Sequence, residues 1–178
     1  MKRIVIICEG ETEQEFCNKT LSQYFVPQGI YIQAPLIKHS NGGVVRWSLL
    51  KKQIELTLKE DSTAIVSMLI DYYGLYKKYQ FPKWDESLNI PKKSERMDFL
   101  ENAMSMDIDE NLRHRFIPYI QLHEFEGLLF CDVEIFKQQI PANELVDMQE
   151  LEDVIFKYPN PTPIKKISRI KIPSPGNP

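Results

Sequence analysis

Acidic residues stand at the ends of three apolar runs in this chain. Glu9 closes RIVIIC (3–8), Asp71 closes TAIVSMLI (63–70), and Glu124 and Glu126 follow FIPYIQL (116–122). Glu13 comes one helical turn after Glu9, so both carboxylates can face the same way. Gathering carboxylates in a partly dehydrated crevice is unfavourable, because like charges repel and one pKa is driven up. A divalent cation relieves that conflict, and Mg2+ (or Mn2+) takes carboxylate oxygens while keeping positions open for water and phosphate. The expected metal ligands are therefore Glu9, Glu13, Asp71, Glu124 and Glu126, with Glu9, Asp71 and Glu124 as the expected catalytic set. Such a set supports metal-assisted hydrolysis of a phosphodiester. His123 is the one nearby nitrogen ligand, and the irregular spacing makes no zinc motif.

A structural account competes with this one. Acids at a helix start complement the helix macrodipole, which covers Glu11 and Glu15 and serves Glu9 about equally well. It fits Asp71 poorly, since that residue closes an apolar run. His123 has its own structural role to weigh, as a hydrogen-bonded residue orienting the turn after the last run.

A second group of residues could touch nucleic acid. Gly10 and Thr12, where a helix opens after Glu9, would offer backbone N–H groups to a phosphate. Between Asp71 and Asp85, the aromatic residues Tyr72, Tyr73, Tyr76, Tyr79, Phe81 and Trp84 alternate with Lys77, Lys78 and Lys83. Aromatic faces stack on bases while lysines neutralise phosphates, so this stretch reads as a single-strand platform, with Tyr73, Lys77, Lys78 and His123 as contacts. The alternative is that the rings pack over a sheet edge and the lysines form its solvated rim.

The elements that must position these residues follow from periodicity. Residues 3–8 form a β-branched run of the kind buried on both faces of a sheet. Thr12 and Glu15 read as a capping box, with Cys17, Leu21 and Tyr24 on one helix face. A strand is expected over 30–37, with Pro35 marking an edge or bulge. Trp47, Leu50, Ile54 and Leu58 sit at helical spacing, 63–70 is a third strand, and Pro82 and Pro91 argue against regular structure over 74–93. Ser94 is the expected cap of a helix running to Met104. A fourth strand is expected over 116–122, then helices near 125–138 and 143–156. This alternation predicts an α/β fold, Rossmann-like, with a mostly parallel sheet of about four strands and helices on both faces. Ligands in such sheets bind outside the carboxyl ends of the strands, where the acids fall. The expected organisation is one domain over 1–158 and an irregular Pro-rich basic tail over 159–178.

Composition sets outer bounds. The chain has 178 residues, 43% hydrophobic and 26% charged, which suits one globular domain. Its net charge of −3 provides no global basic field for nucleic acid. Cys8, Cys17 and Cys131 are an odd number without a Cys-x-x-Cys pair, which suits buried thiols in a reducing, cytoplasmic setting. No apolar run nears the roughly 20 residues that span a bilayer, so no membrane partner is expected.

The run VIICEGETEQEF resembles the opening Glu-Gly-x-Thr-Glu motif of Toprim-like domains. LIDYYGLY and RFIPYIQLHEFEGLLF resemble the Toprim-like family known as domain of unknown function 4276, from Arg3 to about Phe136. The resemblance implies a Toprim-like fold, with Glu9 as general acid/base or metal ligand, Glu13 beside it, and Asp71 as the first position of an Asp-x-Asp metal motif. Tyr73 replaces the second aspartate, so Glu124 or Glu126 would have to complete the set. Toprim domains serve in topoisomerases, primases, small ribonucleases and nucleases that accompany ATPases in phage defence.

The leading expectation is thus a Mg2+- or Mn2+-dependent nuclease acting on DNA or RNA. Its rival is a catalytically degenerate binding module, the partner subunit of an ATPase. A third reading is a receiver-like phosphoacceptor using Asp71. It would want an acidic pair after the first strand and a lysine after a fifth. Sequence leaves room for a homo-oligomer in each case.

Overall fold

The computed structural model describes residues 2–40 and 43–122, together with 149–150 and 152–153. Strand β1 (Lys2–Cys8) leads through a Gly10 turn into helix α1 (Glu11–Glu15). The helical run continues as a π-helical segment (Phe16–Leu21), helix α2 (Ser22–Phe25) and a 3-10 turn closing at Gly29. Strand β2 (Ile30–Gln33), helix α3 (Trp47–Glu60) and strand β3 (Ile65–Asp71) follow. After two 3-10 turns come helix α4 (Trp84–Ser87), helix α5 (Lys93–Asp107) and strands β4 (Phe116–Ile117) and β5 (Ile120–Gln121).

The sheet has the order β2-β1-β3-β4, with β5 also paired to β3, and each of these pairings is parallel. β1 and β3 are the central strands, and their burial follows from their Ile, Val, Leu and Met content. Side chains alternate across the sheet. Val5 and Ile7 join Val66, Met68 and Ile70 against Leu50, Ile54 and Leu58 of α3 and Met97, Leu100 and Met104 of α5. Ile4 faces the other way, with Phe25 of α2 and Ile30. Helices therefore cover both faces, as the alternation of elements predicts. Each large aliphatic side chain buried this way contributes about 1.5–3 kcal/mol.

Proline accounts for two departures from the expected strands. Regular pairing of β2 stops at Gln33, and the edge resumes only as Cys8 N–H donates to Pro35 O (2.9 Å) and Ile37 N–H to Cys8 O (3.0 Å). The single strand expected over 116–122 is two short strands separated at Pro118, which has no N–H for the ladder. Two expected helix starts also differ. Lys92 rather than Ser94 flanks α5, and Gly10 rather than Thr12 flanks α1. The stretch over 74–93, expected to be irregular, includes the single turn α4, entered through Lys83 in a left-handed conformation (φ 55°).

Cys8 and Cys17 are buried free thiols, as expected. Cys8 Sγ donates toward Cys17 Sγ at 3.8 Å, and that bond, with burial, pushes the Cys8 thiol well above its ordinary range. No described helix is long and apolar enough to cross a membrane. The expected helices at 125–138 and 143–156 and the boundary at 158/159 lie outside the described residues, except that 149–150 and 152–153 are helical.

Candidate functional site

β1 and β3 run parallel in register, Cys8 opposite Leu69. Glu9 N–H extends that pairing by donating to Leu69 O (3.1 Å). Beyond this point the chain turns, and the Glu9 side chain reaches across to the neighbouring strand. Its Oε2 accepts the main-chain N–H of Asp71 at 3.0 Å. Asp71 is the last residue of β3 and is 8% exposed. Two of the predicted acids thus stand at the carboxyl ends of the two central strands, joined by a hydrogen bond.

Two glycines close on the Glu9 carboxylate. A Cβ at Gly74 would lie 3.2 Å from Glu9 Oε1 and 3.7 Å from Val44 Cγ2. A Cβ at Gly43, whose φ of 95° already favours glycine, would lie 3.8 Å from the same oxygen. The loop after β3 and the loop before α3 therefore both approach this one side chain.

Glu13 is buried and serves its own helix. Its Oε2 accepts the Gly10 N–H at 3.0 Å, the half of a capping box that a glycine N-cap permits. Glu15, expected in that role, instead pairs with Lys19 at the surface. Thr12 is exposed in the first turn of α1.

Three polar residues near Asp71 escaped the sequence reading. Glu101, on the buried face of α5, accepts the Ile120 N–H at 2.9 Å. Gln121, the residue paired with Asp71, accepts the Tyr119 hydroxyl at 2.6 Å. Burial pushes the Tyr119 phenol up to about 12, and the negative charges of Glu101 and Asp71 add to the shift. The signal for Glu101 was present: it occupies the helical stripe of Met97, Leu100 and Met104, where a carboxylate needs a partner.

The aromatic stretch divides into two groups. Phe81 is buried against Trp47, and Tyr72, Tyr79 and Trp84 pack on the core. Arg96 fastens this layer, donating from Nη1 to the Tyr72 hydroxyl (2.7 Å) and from Nη2 to Ile90 O (2.7 Å). Tyr73 and Tyr76 remain 42% and 57% exposed. Lys93 Nζ donates to the Tyr73 hydroxyl at 2.6 Å and lies 4.7 Å from its ring centre. Lys78 Nζ lies 5.5 Å from the Tyr76 ring centre and 4.9 Å from that of Tyr79. Lys77, grouped with Lys78 as a nucleic-acid contact, pairs with Asp85 at 2.9 Å.

His123, Glu124 and Glu126 lie outside the described residues. Among the described residues, no group of three or more His, Cys, Asp or Glu side chains is placed to hold a metal ion. Residues 8–174 match the family model described as Domain of unknown function (DUF4276), and the chain belongs to that family. No curated protein matches the chain, and neither does any solved structure.

Proposed function

We propose that this member of the family is a divalent-metal-dependent phosphodiesterase acting on DNA or RNA, with its centre at Glu9 and Asp71. The observation that carries the reading is the bond from the Asp71 main-chain N–H to Glu9 Oε2, which holds the Glu9 carboxylate against the residue that ends β3, itself an acid. Ligands of parallel sheets bind at those ends. Mg2+ is held through one or two carboxylates plus water and substrate phosphate, so the donor set fits that ion. Such an ion, when bound, would supply charge stabilisation to the phosphate and an activated water. Glu9 and Asp71 would hold it. The chain's own contribution is positioning. The Asp71 N–H fixes the Glu9 carboxylate, and the loops at Gly43 and Gly74 enclose it. Glu13, turned to Gly10, orients the start of α1 and is left out of the ligand set proposed here.

The test is a nicking assay on DNA and RNA with Mg2+ and Mn2+. Activity should disappear in Glu9→Gln and Asp71→Asn, and cleavage undiminished in both variants would place the chemistry elsewhere. Toprim-like nucleases in phage defence work beside ATPases, and the resemblance suggests that setting here.

A second reading, a binding module that partners an ATPase, is favoured by Tyr73 standing where the metal motif has aspartate. Thermal melts separate the two. An ion that relieves paired carboxylates raises the melting temperature, whereas no shift at millimolar Mg2+ supports the binding module.

A further inference from the structure

The aromatic stretch after β3 contains more rings than packing uses. Tyr72, Tyr79, Phe81 and Trp84 close the core edge, and Arg96 pins Tyr72 there. Tyr73 and Tyr76 present their rings to solvent instead, each with a lysine ammonium over it, Lys93 and Lys78 respectively. Neither lysine forms an ion pair with a described residue, whereas neighbouring Lys77 and Lys92 do, with Asp85 and Glu95. The surface therefore combines partly exposed aromatic rings with positive charge not paired to a described carboxylate.

This surface adjoins the acidic pair. Tyr73 belongs to the 3-10 turn Tyr72–Gly74, which begins immediately after Asp71 and ends at the glycine that packs on Glu9 Oε1. Tyr73 thus follows Asp71 by two residues and precedes the glycine beside Glu9 by one.

We propose that Tyr73, Tyr76, Lys78 and Lys93 form a platform for single-stranded nucleic acid, the substrate form presented to Glu9 and Asp71. This rests on the nuclease reading for its catalytic half, while the binding half stands on the surface itself. Single strands are favoured because only unstacked bases can lie on exposed rings, and stacking of this kind tolerates any sequence. A duplex keeps its bases stacked and would find only a few charges here, on a chain whose net charge is −3. The same rings could serve a protein partner, and the experiment distinguishes that case.

Binding is measured by fluorescence anisotropy with a labelled oligonucleotide, as single strand and as duplex, using the full chain carrying Glu9→Gln in EDTA so that nothing is cleaved. The single strand should bind at least tenfold more tightly, roughly, than the duplex. Tyr73→Ala and Tyr76→Ala should each weaken single-strand binding about tenfold, with Tyr73→Phe close to the parent. Substituting Lys78 and Lys93 together by Ala should flatten the slope of log affinity against log salt by about 1.4. Equal affinity for single strand and duplex would overturn the platform. So would tyrosine variants that bind like the parent while retaining its melting temperature, and the rings would then be left to a protein partner. Tight single-strand binding by a wild-type protein that cleaves nothing supports the platform and sinks the nuclease reading. Cleavage by wild type with no strand preference does the reverse.

Discussion

The main-chain N–H of Asp71 donates to the carboxylate of Glu9 at 3.0 Å, across the carboxyl ends of two parallel strands. This bond gives Glu9 a structural role beside the chemical one proposed for it. It gives the side chain a fixed position before any ligand arrives, which is what a preorganised site requires. It also means that loss of activity in a Glu9 variant must be separated from loss of fold.

The two roles separate by choice of substitution. Glu9→Gln keeps an oxygen that can accept the Asp71 N–H, and should cost no more than about 1 kcal/mol in a urea melt. Glu9→Ala removes the acceptor and should cost about 1–3 kcal/mol. Phosphodiester cleavage should vanish in both. Equal stability for the two variants would mean that the bond contributes little to the fold.

Gly74 should be coupled to Glu9. The added methyl of Gly74→Ala would sit 3.2 Å from Glu9 Oε1, so the carboxylate must yield by a few tenths of an ångström. We expect a cost of about 1 kcal/mol in the wild-type background. In a Glu9→Ala background the crowding atom is gone, and the cost should fall to near zero. A double-mutant cycle measures the difference. Strict additivity would show that the loop adjusts without touching Glu9.

Much of this arrangement was legible in the sequence. Apolar runs ending at Glu9 and Asp71 gave the two central strands and placed both acids at their carboxyl ends, because strand periodicity and the parallel-sheet rule are local and strong. Pairwise geometry was not legible. Nothing in the spacing of Gly10, Thr12, Glu13 and Glu15 distinguishes a box opened by glycine from one opened by threonine, yet the choice decides that Glu13 faces its own backbone. The partner of Glu101 was hidden for a related reason: it is the Ile120 N–H, nineteen residues away. Tyr73 and Tyr76 could be separated from Tyr72 and Tyr79 only once the turns between them had a shape.

Glu101 offers a stability test that leaves the Glu9 side chain unchanged. Its Oε1 holds the Ile120 N–H in a buried setting at 2.9 Å. Glu101→Leu would leave that N–H without an acceptor and should cost about 1–3 kcal/mol. Glu101→Gln retains an acceptor and should cost less than about 1 kcal/mol. Denaturant midpoints at constant slope compare the two. If Leu proved as stable as Gln, the bond would contribute nothing net.

Tyr119 carries the alkaline prediction. Burial, then the charges of Glu101 and Asp71, raise its phenol to about 12, above its ordinary value of about 10. A group with a raised folded-state pKa binds its proton more tightly in the native state. The stability linked to it is therefore complete below about pH 10 and is lost as pH rises through about 12. Tyr119→Phe abolishes that loss, at the cost of the hydroxyl's bond to Gln121 Oε1, about 1 kcal/mol at neutral pH. Glu101→Gln removes one of the two charges and should bring the Tyr119 titration down toward the ordinary value, read as the tyrosinate absorbance missing from Tyr119→Phe. Denaturant melts across this alkaline range should show wild type losing stability faster than Tyr119→Phe. Parallel declines in the two proteins would mean that other groups, the lysines foremost, govern alkaline unfolding and that Tyr119 is not shielded as its surroundings require.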